Sequence, residues 1–424
     1  MLPKIRFLQI GDIHLPSNAN AKPFVDDKDA TFPIYLRNIM SKSPIKSVFK
    51  RIYQVISSEK IDNILLMGDF TDYGKIDGYK SCVNYLSCSL QIGKYGINKN
   101  IPIGIVPGNH DIDRNLAKKP GINTKFNDLI GVLNSAGFPP IPLSKPIRSK
   151  ITNGSAESHV FLLNSCWGCG EETFIPDHFR SRIVSAIDET INLSKTDGPI
   201  KEYYNQQLDT PAFSEECIDS IVSEVQSLPP SAIPILVAHH NLLPQRRPRL
   251  APYTELVNGG ALRGALEELD RPVIYLHGHI HEDPIEVMQL PGAYPLVSIS
   301  APEISQGFNV IEVVFGQSAF PLACHITPYR IDKSGILKRS LKIAIPLNNG
   351  RRRSAESSMG VVYAKILEAR QLYWPDLESY FASHPAPIDV DRLTMILEQL
   401  LAEGSISIDN YDIDRSSWIV KAEM

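Results

Sequence analysis

Seven side chains that can bind a metal ion stand along this chain, each shortly after an apolar run. They are Asp12, His14, Asp69, Asn109, His239, His279 and His281. Carboxylate oxygens, imidazole nitrogens and an amide oxygen suit divalent first-row cations, and a carboxylate can bridge two of them. Two cations roughly 3.5–4 Å apart can activate a water and neutralise the charge of a phosphate ester. The set therefore predicts a hydrolytic site that holds two metals.

Spacing supports a common site for these donors. In an extended chain, residues two apart point to the same side, so Asp12 and His14 can face one cavity, as can His279 and His281. A glycine precedes each donor group where strand would meet loop, at Gly11, Gly68, Gly108 and Gly278. Glycine permits tight turns there.

The donors fall in five short motifs. The motifs read Gly11-Asp12-Ile13-His14, Gly68-Asp69-Phe70-Thr71-Asp72, Gly108-Asn109-His110-Asp111, His239-His240 and Gly278-His279-Ile280-His281. In this order they resemble the calcineurin-like metallophosphoesterase family, whose signature is D-x-H, G-D-x-x-D, G-N-H-D, a later lone or paired His, and G-H-x-H. The resemblance covers residues 5 to 314 and does not extend to the C-terminal part of the chain.

The resemblance implies a role for each residue. Asp12, His14 and His281 would bind the first metal, Asn109, His239 and His279 the second, and Asp69 would bridge them. His110 would protonate the leaving oxygen after attack by a metal-activated hydroxide, and Asp72 would orient His110. Manganese is the expected metal, while iron and zinc also suit these donors.

Other residues near the motifs have two readings. His240 could be the ligand in place of His239, and His277 is expected to be a structural histidine of a strand. Cys166 and Cys169 form a C-x-x-C, but the chain has no second C-x-x-C. Packing or a free thiol is therefore the favoured reading, and zinc the alternative.

Three arginines follow the paired histidines in a loop interrupted by proline, namely Arg246, Arg247 and Arg249. They could bind a substrate phosphate or a nucleic-acid backbone through charge-assisted hydrogen bonds. A solvated loop explains them equally well.

Composition predicts a soluble globular protein of two unequal domains. The chain has 424 residues, of which 43% are hydrophobic and 21% charged, and a net charge of −4. The charge gives no overall basic surface for nucleic acid. We expect a catalytic domain at residues 1–347, a linker at 348–360 and a C-terminal domain at 361–424.

The catalytic domain is expected to be an α/β fold, a two-sheet βαβ sandwich flanked by helices. In the first half of the chain, apolar runs at residues 5–10, 64–67 and 101–106 predict strands that join one sheet. Residues 160–163, 235–238 and 273–276 are further runs of the same type. A helix is expected after Pro44, and shorter strands between residues 284 and 347 would complete a second sheet. Polar segments at 15–43, 113–150 and 171–211 are read as long loops.

The C-terminal domain is expected to contain three helices followed by a hairpin, which resembles a winged helix. Asp389 is the expected N-cap of the third helix, and Gly404 its stop. Residues 355–424 carry five Lys or Arg against twelve Asp or Glu. Because phosphate repels such a surface, a protein partner or self-association is favoured over DNA.

The N-terminus reads as a first strand rather than a signal peptide, and no apolar stretch approaches the ~18 residues of a membrane span. Six cysteines are too sparse for a disulfide scaffold. These features predict a cytoplasmic protein without a membrane partner.

Three functions compete. The first is a phosphodiesterase acting on a nucleotide or nucleic acid, because Asp72 is followed by Tyr73 and Gly74 rather than by the arginine of phosphoprotein phosphatases. The second is a phosphomonoesterase acting on a small molecule or phosphoprotein. The third is a noncatalytic scaffold, which predicts a lost ligand or a missing His110.

Overall fold

The structure is a computed structural model that describes residues 2–14, 46–72, 74–92, 101–193, 208–243, 255–282, 284–290, 293–332, 336–348 and 357–423. The expected loop at 15–43, Tyr73 and the three arginines Arg246, Arg247 and Arg249 lie outside the described residues.

Seven strands form the first sheet. They are β1 (Lys4–Ile10), β2 (Asn63–Leu66), β3 (Ile103–Ile105), β10 (Gly307–Phe315), β11 (Pro321–Ile331), β12 (Leu337–Arg339) and β13 (Ile343–Pro346). The order is β12-β11-β10-β1-β2-β3, with β13 also pairing with β11. Strands β1, β2 and β3 run parallel, whereas β10 is antiparallel to β1. The carboxyl ends of the three parallel strands therefore lie at one edge.

Six strands form the second sheet. They are β4 (Ile147–Asn153), β5 (Ala156–Leu162), β6 (Ile233–Val237), β7 (Val273–His277), β8 (Ile285–Met288) and β9 (Leu296–Ser300), in the order β4-β5-β6-β7-β9-β8. The expectation that the strands of the first half join one sheet is wrong, because β1 to β3 belong to the first sheet and β4 and β5 to the second. An apolar run identifies a buried strand but not its neighbours.

The two sheets pack face to face and helices cover their outer faces. Phe7 and Met67 of the first sheet meet Ile235 and Leu276 of the second in one buried cluster. Helices Lys46–Ser58, Ile76–Ser89 and Asn127–Ser135 cover the first sheet, and Glu215–Gln226 and Gly259–Glu267 the second. This arrangement confirms the expected α/β sandwich flanked by helices.

Two of the expected long loops contain helices. Residues 113–150 include Arg114–Ala117 and Asn127–Ser135, and residues 171–211 include Asp177–Leu193. In Asn127–Ser135 the buried side chains are Leu129, Val132 and Leu133, a short apolar face within a largely polar segment. None of the described helices is long and apolar enough to cross a membrane.

The C-terminal domain has three helices and a small sheet. The helices are Ser358–Ala369, Trp374–Ala382 and Val390–Ala402, and the strands are β14 (Gln371–Tyr373), β15 (Ile406–Asp409) and β16 (Ile419–Ala422). Asp389 caps the third helix by accepting a hydrogen bond from Arg392 N at 2.8 Å. The sequence did not predict β14, which pairs with β16. The first helix begins at Ser358, inside the expected linker at 348–360. The domain boundaries and the winged-helix assignment stay predictions.

A buried glutamate docks the third C-terminal helix onto the catalytic domain. Glu398 is 2% exposed. Its carboxylate oxygens both lie 3.1 Å from Gln317 N in the turn between β10 and β11, and one accepts from Tyr411 Oη at 2.6 Å. Nearby, Gln399 Nε2 donates to Leu322 O at 3.0 Å. These contacts fix the helix against β11.

We expect Glu398→Ala to lower the free energy of unfolding by about 1–3 kcal/mol, because it removes the charge-assisted hydrogen bonds that the buried carboxylate accepts from Gln317 N and Tyr411 Oη. Urea unfolding of the full chain measures the change. Glu368→Ala is the matched control, since the Glu368 side chain is 72% exposed and forms a surface pair with Lys365. Equal stability of the two variants would contradict the role of Glu398.

Candidate metal centre

Each predicted donor group follows the carboxyl end of a parallel strand. Asp12 and His14 follow β1, Asp69 follows β2 and Asn109 follows β3, while His239 follows β6 and His279 and His281 follow β7. Because the two sheets pack face to face, the loops of both meet at one edge of the sandwich. Residues from distant parts of the chain can therefore form one site.

One group of donors surrounds Asp12. Its Oδ2 lies 3.2 Å from His281 Nε2 and accepts from His279 N at 2.9 Å. His14 Nε2 is 3.0 Å from His281 Nε2 and 3.7 Å from Asp69 Oδ2. Donor atoms of Asp12, His14, Asp69 and His281 all lie within 4.8 Å of one another. This is the set expected around the first metal.

A second group surrounds His239. Its Nε2 lies 3.2 Å from Asp69 Oδ2 and 3.0 Å from Asn109 Oδ1. Its Nδ1 donates to Met67 O at 2.7 Å, which fixes the ring and directs Nε2 to the site. The ring of His279 is 5.2 Å away between centroids. Asp69 therefore lies between the two groups, as a bridging carboxylate would.

Buried atoms in the centre lack hydrogen-bond partners among the described residues. Asp12 Oδ1, Asp69 Oδ2 and His279 Nε2 are in this condition. A buried polar group without a partner costs about 1–3 kcal/mol, and more when it is charged. Cations bound to these two oxygens and one nitrogen would supply the missing interactions, so the residues fit a pair of divalent metals.

The charges of the pair Asp69 and His239 depend on each other. Burial works against ionisation of Asp69, yet His239, His110 and His14 hold the pKa of its carboxyl well below the usual range. Burial alone would lower the pKa of His239, but Asp69 and Asp12 raise it to about 10. A proton on His239 therefore competes with a cation for Asp69.

Four of the donors have left-handed backbone conformations. The φ angles are 46° at His14, 51° at Asp69, 67° at His279 and 53° at His281. Such angles are uncommon outside glycine, and they cluster at functional sites where packing enforces them. No pattern in the sequence indicates these backbone angles.

Two of the four predicted glycines make room for carboxylates rather than forming turns. A Cβ on Gly108 would collide with Asp69 Oδ1, and one on Gly278 would collide with Asp12 Oδ1. Of the four, Gly68 has a positive φ, at 92°. The glycines of the motifs therefore allow close approach of the two buried acids.

His110 lies beside the donors and is partly exposed. Its ring is 4.9 Å from that of His14, edge on. Its ring Nδ1 donates to the main-chain oxygen of Asp72 at 2.9 Å, and its main-chain N–H donates to Asp69 Oδ1 at 2.8 Å. Asp72 thus orients His110 through its carbonyl, whereas its carboxylate lies 3.5 Å from His14 Nδ1.

Asp111 is a positioning residue that the sequence reading did not single out. Its carboxylate is buried and accepts from Phe70 N at 2.8 Å and from Gly108 N at 3.0 Å. Burial and the nearby Asp69 raise its pKa to about 7. The side chain ties the loop after β2 to the loop after β3. The one sequence feature that could have identified Asp111 is its place as the last residue of the motif Gly-Asn-His-Asp.

The neighbouring histidines have different surroundings. His240 Nδ1 lies 2.9 Å from Ser165 Oγ rather than near Asp69. His277 is buried, and burial lowers its pKa to about 4 despite a hydrogen bond from Nδ1 to Gly278 O. The geometry favours His239 over His240 as the ligand beside Asp69, and His277 as a strand histidine.

The chain is similar to one protein family and to several solved structures. The model of the calcineurin-like phosphoesterase family matches residues 5–283. No match was found among curated proteins. A dimetal phosphatase from Danio rerio is 12% identical, with 82% of this chain and 100% of that chain covered and a TM-score of 0.45.

Two further solved structures are similar over part of their length. A 5'-nucleotidase precursor from Thermus thermophilus is 12% identical, with 81% of this chain and 54% of that chain covered and a TM-score of 0.35. A purple acid phosphatase from yellow lupin is 13% identical, with 81% and 54% covered and a TM-score of 0.39. The chain spans about half the length of these two proteins, and the similarity says nothing about substrate.

We expect Gly108→Ala to reduce the divalent metal bound per chain, because its methyl group displaces the Asp69 carboxylate. Elemental analysis after dialysis against manganese measures the bound metal. Gly131→Ala is the matched control, since a Cβ there meets no atom within 4 Å. Equal metal content in the two variants would contradict the close-approach role of Gly108.

Proposed function

We propose that this chain, which belongs to the calcineurin-like phosphoesterase family, is a dinuclear-metal-dependent phosphodiester hydrolase acting on a nucleotide or nucleic acid. The observation that carries the proposal is the convergence of seven donors, from five strand ends, around Asp12 and Asp69. The residues after Asp72, Tyr73 and Gly74, support a diester over a phosphoprotein substrate.

The proposed roles follow the two groups of donors. Asp12, His14 and His281 hold the first cation, Asn109, His239 and His279 hold the second, and Asp69 is shared. When bound, the cations supply charge neutralisation for the phosphate and acidify a water. Manganese is the proposed metal, since the donors are nitrogen and oxygen without thiolate.

The substrate is proposed to enter beside His14 and His281. The side chains of His281 and Asp72 are 39% and 32% exposed, whereas that of His239 is 0% exposed. The accessible side of the centre is therefore the side that carries His110. A phosphate that reaches Asp69 from this side passes His110.

His110 is proposed as the general acid. Because its Nδ1–H donates to Asp72 O, proton transfer to a leaving oxygen would use Nε2. The hydrogen bond from His110 N to Asp69 Oδ1 couples the position of the acid to the shared carboxylate. Asp72 is then a positioning residue, and its carboxylate favours the charged form of His110.

The acidic C-terminal domain is proposed to contact a protein partner or a second copy of the chain, in a winged-helix-like arrangement. Twelve acidic against five basic residues over 355–424 repel a phosphate backbone. A cytoplasmic location belongs to the same proposal.

We expect the purified chain with manganese to hydrolyse bis-(p-nitrophenyl) phosphate faster than p-nitrophenyl phosphate. The comparison uses kcat/KM measured from released nitrophenolate. A strong preference for the monoester would reject the diester assignment and favour a phosphomonoesterase. Hydrolysis of neither substrate, nor of cyclic nucleotides, DNA or RNA, would favour the scaffold.

We expect His110→Ala to lower kcat by about 10²–10⁴-fold for an alkyl phosphodiester, whose leaving group needs a proton. The loss should be much smaller for a nitrophenyl ester, because nitrophenolate leaves without protonation. His178→Ala is the matched control, since His178 is exposed on the helix Asp177–Leu193. The same loss for both leaving groups would refute the acid role of His110.

A further inference from the structure

A second group of metal-type donors lies next to the candidate centre. Cys166, Cys169 and His240 are all buried, and one donor atom of each lies within 4.8 Å of the others. Cys166 Sγ is 3.8 Å from His240 Nδ1. The C-x-x-C has no second pair of cysteines, which by itself disfavours zinc. The fold supplies an imidazole instead.

The strand order explains how these three side chains meet. Cys166 lies four residues beyond the end of β5, and His240 lies three residues beyond the end of β6. Strands β5 and β6 are parallel neighbours. Their carboxyl ends therefore place the two segments side by side, and Ser165 Oγ accepts from His240 N at 3.0 Å across the junction.

His240 Nδ1 is the ring nitrogen that faces Cys166. It lies 2.9 Å from Ser165 Oγ and 3.8 Å from Cys166 Sγ. Ser165 Oγ accepts from the His240 main-chain N–H at 3.0 Å, and its own proton can be donated to Nδ1. In the tautomer with the proton on Nε2, Nδ1 has the lone pair that a metal requires.

The turn that carries both cysteines is held by contacts that need no metal. Cys169 N donates to Cys166 O at 3.1 Å. The buried Lys125 donates from Nζ to Trp167 O at 2.6 Å and to Cys169 O at 2.7 Å. Gly170 then leaves the turn with φ of 73°. Such a preorganised turn lowers the ordering cost of binding an ion.

We propose that Cys166, Cys169 and His240 Nδ1 form a third metal site, for a thiophilic d¹⁰ cation such as Zn²⁺. Two thiolates and one neutral imidazole are donors that select zinc over manganese. Binding of the cation removes the protons of both thiols, so two protons are released for each ion bound.

This site is distinct from the proposed dinuclear centre, although the two are adjacent. His240 also lies in a group with His239 and His279, whereas its Nδ1 lies 3.8 Å from Cys166 Sγ. The donor sets differ in kind, since the dinuclear centre contains carboxylates and no thiolate. Each site can therefore be removed by substitution without removing a ligand of the other.

Metal content and cobalt spectroscopy of the full chain test the proposal. A parent with Asp12→Asn and Asp69→Asn, which disables the dinuclear centre, is expected to retain one zinc per chain under reducing conditions. Adding Cys166→Ser or Cys169→Ser should abolish that zinc. Adding Cys217→Ser, another buried thiol, should not. Equal zinc in all three derived variants would overturn the proposal.

Cobalt substitution of the unaltered chain gives a readout that does not depend on the folding of any variant. Thiolate ligation of Co²⁺ produces a sulfur-to-metal charge-transfer absorption in the near ultraviolet, which carboxylate and imidazole ligands do not. We expect this band in the wild-type chain and in Cys217→Ser. Its absence at saturating Co²⁺, or a mass showing Cys166 and Cys169 as a disulfide in the reduced sample, would overturn the site.

Discussion

The burial of two carboxylates, Asp12 and Asp69, is the constraint on which the rest of this structure depends. An ionised carboxylate is costly to bury unless charge and hydrogen bonds compensate it. Here the compensation comes from His279 N, His110 N, and the imidazoles of His239 and His281. Two buried oxygens, Asp12 Oδ1 and Asp69 Oδ2, lack a hydrogen-bond partner among the described residues, and cations would fit there.

The packing of the two sheets brings the buried acids next to the imidazoles that compensate their charge. Asp12 and Asp69 come from the first sheet, while His239, His279 and His281 come from the second. Neither sheet alone contains the donor set. The apolar cluster between the sheets, with Phe7 and Ile235 among its members, therefore sets the distance between the acids and the imidazoles. Packing energy far from the site holds its backbone in left-handed conformations that four donors would not adopt freely.

The same edge of the second sheet brings together a softer donor set. Because β5 and β6 end side by side, the C-x-x-C turn lies next to His240, the residue after His239. The paired histidines therefore connect a group with buried acids to a group with buried thiols. The C-terminal domain is attached elsewhere, where Glu398 of its third helix accepts from Gln317 N in the turn between β10 and β11.

From its residues alone, the chain predicted the candidate donors and the strands that precede them, because an apolar run followed by Gly-Asp or Gly-His is a local signal. It also determined the cap at Asp389 and the helices of the C-terminal domain. Only the tertiary structure decided which strands share a sheet, that the Asp72 carbonyl accepts from His110 Nδ1, that Asp111 accepts from two loops, and that His240 Nδ1 lies beside Cys166. These depend on contacts between residues far apart in sequence, and such contacts leave no periodicity or spacing in the chain that forms them.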